Sequence, residues 1–229
     1  SLSRGYKAGG VNGEAIAKAL IDGEDTTADF LRKRTTFDPE ILQTVEFGIK
    51  GSSADGKLQL RFSAFYSDRQ DVQLKGVVQE PGTAGDASLF VGYIENAASG
   101  NNYGVETELS YQYSPSLQLF ASVGWLDTKV EDFVAQDGTD MDGRDQAHAP
   151  QYQYNVGLQY DIDQHWFVYV NAEGKDDFYF SMSHNAQSGS VNLVNLSVGY
   201  QQDDWEVTLW GRNVFDKDYA VRGFQFGND

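Results

Sequence analysis

Apolar residues recur at every second position along much of this chain. Tyr152, Tyr154, Val156, Leu158, Tyr160 and Ile162 alternate with Gln151, Gln153, Asn155, Gly157, Gln159 and Asp161. A helix would repeat its apolar positions every three or four residues, so strict alternation predicts an extended strand with two unlike faces. Tyr103, Val105, Thr107, Leu109, Tyr111 and Tyr113 repeat the pattern against Gly104, Glu106, Glu108, Ser110 and Gln112. So do Leu117 to Trp125 and Leu58 to Tyr66, with shorter runs at Val45 to Ile49, Val194 to Tyr200 and Trp205 to Leu209. Strands of roughly nine to eleven residues are long enough to cross a bilayer when tilted.

The connections between these runs come in two lengths. Short ones fall at Gly51 to Gly56, Ser114 to Ser116, Asp161 to Gln164 and Gln201 to Asp204; long ones cover 8–40, 69–101, 128–149 and 176–190. Tight turns at one end and long loops at the other predict an all-β, antiparallel up-and-down meander of the kind that closes into a transmembrane barrel. A β-sandwich has no reason to sort its loops by end. About eight long strands are expected, with Leu109, Tyr111, Val156 and Leu158 facing outward and Glu106, Glu108, Asn155 and Gln159 facing a lumen. Free edges are expected near Val45 and Val207, to be covered by another copy, by detergent or by an altered fold. The one helical signal, Glu14 to Ile21 with a shorter turn over Thr27 to Lys33, lies inside the first long loop.

Composition narrows the classes. The 229 residues carry 34 Asp+Glu against 17 Lys+Arg, a net charge of −17 that opposes phosphate backbones and excludes nucleic acid as a natural partner. The absence of cysteine removes thiolate metal sites, disulfides and cysteine nucleophiles. The longest apolar run is Trp166 to Val170, far short of a membrane helix, and residues 1–20 contain no secretory segment. Aromatics at 14% suit a barrel's two interfacial girdles, with Tyr103, Tyr113, Trp125, Tyr152, Tyr160, Trp166, Tyr200 and Trp205 as candidates; cross-strand packing is the plainer use of the same rings. His148, His165 and His184 lack metal-ligand spacing, and no nucleophile elbow or phosphate loop is present, so neither an enzyme nor a cofactor is expected. The acidic stretch Asp137 to Asp145, aligned as a calcium loop, puts Gly138 and Ala149 at the outer ligand positions and reads as a solvated loop.

Four strings point to a family. Ser3-Arg4-Gly5-Tyr6-Lys7-Ala8-Gly9-Gly10-Val11-Asn12, then Phe37-Asp38-Pro39-Glu40 with Glu46-Phe47-Gly48-Ile49-Lys50, form the first two. Ala64-Phe65-Tyr66 with Asn96-Ala97-Ala98 and Gly104-Val105-Glu106-Thr107-Glu108 form the third, and Arg212-Asn213-Val214-Phe215-Asp216-Lys217-Asp218-Tyr219 the fourth. In order and spacing they resemble the barrel of TonB-dependent outer-membrane receptors. The resemblance implies that residues 1–229 are a C-terminal segment of a large barrel of the 22-stranded type, without plug domain, TonB-box or last strand. It further implies a place in the outer membrane of a Gram-negative bacterium, in contact with lipid, and energy-coupled import through TonB acting on the absent plug.

Capture of a ligand is then expected in the long loops and upper lumen. Arg32, Lys33 and Arg34 in the first loop, Arg144 and His148 in the third, Phe178, Tyr179, Phe180 and His184 in the fourth, and Arg222, Phe224 and Phe226 in the last are the candidates. Aromatic clusters with a few cations suit a bulky, partly anionic ligand such as a ferric siderophore. The same aromatics could instead pack the loops against one another. A passive porin-like or adhesin barrel, and a soluble β-sandwich binding module, are the alternative classes.

Overall fold

The computed structural model describes residues 1–21, 26–80, 89–134, 139–182 and 185–223. In chain order the elements are β1 (Leu2–Lys7), β2 (Gly10–Val11), α1 (Gly13–Ile21), α2 (Thr26–Arg32), β3 (Thr36–Phe37), β4 (Glu40–Ser52), β5 (Leu58–Glu80) and β6 (Leu89–Ser114). They continue with β7 (Leu117–Glu131), β8 (Tyr152–Asp161), β9 (Trp166–Lys175), β10 (Val191–Gln202) and β11 (Trp205–Gly211). Strands β1 and β4 to β11 form one antiparallel sheet in chain order, while β2 and β3 pair as a small ribbon within the first loop. A sandwich needs two facing sheets, and this meander forms one open arc.

Pairing register keeps like with like across the arc. Leu60, Leu109, Ala121, Val156, Ala172 and Val194 are successive partners on five neighbouring pairs, as are Leu58, Tyr111, Leu119, Leu158, Val170 and Leu196 one row away. The opposite face carries the row Arg61, Glu108, Ser122, Asn155, Glu173. Leu109, Tyr111, Val156 and Leu158 therefore share the apolar face, and Glu106, Glu108, Asn155 and Gln159 the polar one. Slipping any strand by one residue would exchange its faces, so the alternation in the sequence fixes the register.

Two expectations need correction. The sheet has nine strands, because Leu2–Lys7 pairs with β4, and one edge is therefore β1 rather than the region of Val45. The segment 69–101 is not a loop: β5 and β6 run on as a long hairpin through Glu80 and from Leu89. A bulge hides this continuity from a period-2 reading. The ladder breaks between Arg69, Val72 and Gln73, Asp71 takes a left-handed backbone (φ 56°), and the polar run Ser67 to Asp71 interrupts the alternation there.

The hydrophobic core lies at the long-loop end. Ala15, Leu31, Val78, Val91 and Tyr93 form one buried cluster where α1 and α2 pack on the extended hairpin, joined by Phe30. Val72, Ala98, Val130, Phe133 and Met141 form a second, which joins that hairpin to the β7–β8 loop. Asn12 ties the helical segment down, its Nδ2 donating to the Ile94 carbonyl and its Oδ1 accepting from the Ile94 amide. Below this level the outward residues stay bare: Val45 is 57%, Phe47 61% and Leu209 79% exposed. A sheet that leaves this much apolar surface uncovered is built for a non-aqueous neighbour.

The tight turns are set by local hydrogen bonds. Asp163 accepts the amides of Trp166 and His165, both at 2.8 Å, and these bonds hold its carboxyl below the usual range. On the inner face, Phe65, Phe120 and Phe167 lie against Gly104, Gly157 and Gly199 of the next strand. A methyl group at position 157 would meet the Val170 carbonyl oxygen and come within 2.5 Å of the Phe120 ring. Gly157→Ala is thus expected to cost about 1–3 kcal/mol through overpacking. Gly51→Ala, where open space surrounds the new methyl, serves as the control. The urea midpoint of the refolded barrel checks the difference, and equal midpoints would refute the close-packing account.

Candidate functional site

The concave face and the long-loop end meet in one region. A groove of about 610 Å³ runs along the inner face, lined by Glu106 and Glu108 of β6, Gln153 and Asn155 of β8, and Glu173 and Lys175 of β9. Their parity on the strands turns these groups inward. Glu108 pairs with Arg61 at 2.9 Å, and Glu173 Oε1 accepts from Asn195 Nδ2 at 3.0 Å. Tyr219 and Val221, beyond β11, also line the groove. Their path is set by Asn213, whose amide donates to Asn195 Oδ1 and whose side chain brackets Lys217 with two bonds of 2.9 and 3.0 Å.

At the groove's upper end Lys175 places its ammonium 4.7 Å from the centre of the Phe178 ring. Phe178 is buried and meets His148 at 5.3 Å and Phe180 edge-on at 5.7 Å. Arg144 lies over Tyr179 at 3.9 Å and donates to Asn185 Oδ1 at 2.7 Å. The Phe180 ring packs on Gly223, close to the exposed Arg222. The β7–β8 and β9–β10 loops therefore bring Arg144, His148, Phe178, Tyr179 and Phe180 together, although several ring faces are taken up by one another. The backbone supports the contact, since the His148 amide donates to the Tyr179 carbonyl. Beside it, burial raises the Asp176 carboxyl above the usual range.

Other candidates sit elsewhere. Arg34 stacks on Phe30 at 3.6 Å and pairs with Glu95 at 2.6 Å, a bond inside the helical cap, and Arg32 pairs with Asp29 on its own helix. Lys33 is exposed. His184, Phe224 and Phe226 lie outside the described residues, as does part of the acidic stretch 137–145. Within the rest of that stretch, Asp140 and Asp142 accept the amides of Asp142 and Asp132. Sequence reasoning missed Glu173, Lys175 and Tyr219. The signal existed, because odd positions of β9 fall on the same face as Asn155 once the register is known.

A family model described as "TonB dependent receptor-like, beta-barrel" matches residues 1–214. The chain belongs to this family. TonB-dependent receptors are outer-membrane transporters rather than enzymes. The ferric-pyoverdine M114 receptor PbuA of Pseudomonas sp. (strain M114) is 29% identical over 214 residues, covering 85% of this chain and 23% of PbuA. Among solved structures, the ferric yersiniabactin uptake receptor FyuA from Yersinia pestis superposes with a TM-score of 0.71 at 18% identity, over 99% of this chain and 31% of FyuA. The siderophore receptor PiuA from Acinetobacter baumannii gives 0.64 at 20% identity, over 80% of this chain and 25% of PiuA. The chain thus spans less than a third of the length of each of these receptors, and the fold it shares with FyuA and PiuA is a part of theirs.

Proposed function

We propose that this chain is the C-terminal part of the barrel of an outer-membrane receptor that captures an iron complex of siderophore type, or a similarly scarce nutrient, and imports it with energy delivered through TonB. One observation carries the reading: the sheet is bare and apolar on its convex side, while its concave side holds a polar groove that opens beneath a cluster of loop aromatics and cations. Lipid suits the first surface and a water-borne ligand the second. The names of PbuA, FyuA and PiuA make ferric siderophores the first ligands to try. Arg144, His148, Phe178, Tyr179, Phe180, His184, Arg222 and Phe224 are the proposed ligand-facing set, with a plug domain and TonB as partners of the whole receptor.

The test uses the complete receptor expressed in a Gram-negative strain lacking its own iron receptors. Cells are offered ferric pyoverdine, ferric yersiniabactin and ferric catecholates carrying radiolabelled iron. Uptake that requires TonB, with surface binding that does not, supports the importer; uptake that persists without TonB would establish a passive pore instead. Arg144→Ala and Arg222→Ala are each expected to weaken capture of an anionic complex about three- to fivefold, with a larger effect at low ionic strength because exposed charges are screened by salt. Binding to whole cells at two salt concentrations, normalised to surface abundance, checks this. Equal affinity of wild type and both variants at low salt would remove these arginines from the site.

A further inference from the structure

The first connection, the β5–β6 hairpin and the β7–β8 loop converge on one partly buried ion pair at the rim of the inner face. Glu40, 7% exposed, ends the first connection; its Oε1 accepts from Arg69 Nε at 2.9 Å and Nη2 at 2.5 Å, and its Oε2 accepts the Gln73 amide at 3.0 Å. Arg69 and Gln73 flank the bulge at which the β5–β6 hairpin departs from the sheet. Arg69 Nη1 continues to Gln146 Oε1 at 2.6 Å, in the β7–β8 loop. Gln146 is itself seated on the wall, its Nε2 donating to Asn102 Oδ1 at 2.7 Å and its amide to the hydroxyl of buried Thr128 at 3.0 Å.

A second ring of bonds closes the same junction. Gln73 Nε2 donates to the Ala8 and Asp38 carbonyls at 2.9 and 3.0 Å. Asn96 donates to the Asp38 and Asp71 carbonyls, bridging the first connection to both sides of the bulge. The ladder is broken at this point, so side chains supply the bonds that main-chain pairing would otherwise make. Gly100 leaves the space Gln146 occupies, because a Cβ there would lie 3.3 Å from Gln146 Nε2 and 2.7 Å from the Lys129 carbonyl.

We propose that Glu40, Arg69 and Gln146 are positioning residues that lock the described parts of the 8–40, 69–101 and 128–149 segments into one unit, so that this part of the long-loop surface holds as a whole. The lock goes beyond the ligand-facing set, since none of its three residues belongs to that set. Its consequence for capture rests on the receptor reading above: Arg144 and His148 follow Gln146 within a few residues, so releasing Gln146 would displace them. The lock itself can be measured without any ligand, and the two readings therefore fail separately.

The experiment is amide hydrogen exchange on the complete receptor in lipid vesicles, comparing wild type with Glu40→Gln and Gln146→Ala. Glu40→Gln keeps shape but leaves Arg69 without its counter-charge, and exchange is expected to quicken about tenfold or more in all three segments together. Membrane amides around Leu119 and Val156 should keep their protection. Gln146→Ala is expected to release residues 139–149 alone, because the Glu40–Arg69 pair still holds the other two segments. Faster exchange confined to 8–40 in Glu40→Gln, or unchanged exchange in any of the three, overturns the proposal. Should Glu40→Gln fail to assemble, Gln146→Ala decides: release of 139–149 supports the lock, and undisturbed protection there overturns it.

Discussion

Leu158→Arg is expected to destabilise the assembled barrel by about 2–4 kcal/mol, the cost of an arginine facing lipid near the bilayer midplane. Leu158 sits in the middle of β8 on the apolar row, paired with Leu119 on one side and Val170 on the other. Its neighbour Gln159 faces the polar side, between Gln118 and Tyr169. Gln159→Arg is therefore expected to lie within about 0.5 kcal/mol of wild type, as substitutions away from packed features generally do. The pair differs by one residue in sequence and by a whole environment in space. Reversible urea unfolding of the complete barrel in phospholipid vesicles measures both. Comparable losses from the two variants would mean that the convex side does not face lipid, and the membrane reading would fall with it.

Much of the barrel wall was legible because a β-strand writes its two faces into alternate residues. Leu109, Tyr111, Val156 and Leu158 could be placed outward from sequence, and the pairing rows put them there. What the alternation could not carry was a change of neighbour across a polar interruption. Past Asp71, Val72, Leu74 and Val78 keep a period of two, but Val72 and Leu74 now pack on the β7–β8 loop and Val78 on the helical cap, rather than on lipid. With Val91 and Tyr93 opposite, that run was a readable hairpin signal whose partner, the α1–α2 segment, lies about fifty residues upstream and leaves no local trace. Leu2–Lys7 escaped the alternation for a different reason, although its motif resembles a strand top of the family: Ser3, Arg4, Gly5 and Lys7 give an edge strand little apolar contrast to read.

The candidate site was legible in kind more than in arrangement. Residue types in the loops pointed to Arg144, His148 and the run Phe178 to Phe180, and the fold gathers these five. The same reasoning grouped Arg34 with them, yet Arg34 spends its guanidinium on Glu95 and the Phe30 ring, within the helical cap. A loop cation bound for a ligand and one bound for a neighbouring loop look alike in sequence. Only the distance to a partner separates them.

Phe178→Ala is expected to cost about 3–5 kcal/mol of local stability, the usual range for truncating a buried phenylalanine, and so to unfasten the β9–β10 loop. Phe178 is 6% exposed and touches His148, Phe180 and Lys175, while its amide and carbonyl both bond to Ser188 across the loop. Tyr179→Ala removes the ring beneath Arg144, a contact worth about 0.5–1 kcal/mol, and should leave the loop in place. Two readouts on the complete receptor separate packing from recognition: protease cleavage within 176–190, and binding of whichever ferric siderophore the uptake assay selects. If the aromatics pack the loops, Phe178→Ala gives cleavage and a large loss of binding together, and Tyr179→Ala gives a small loss without cleavage. If Phe178 touches the ligand, binding falls while the loop stays protected. An intact loop with unchanged binding in both variants would move the capture surface away from this cluster and leave the inner groove between Glu108 and Lys175 as the place to look.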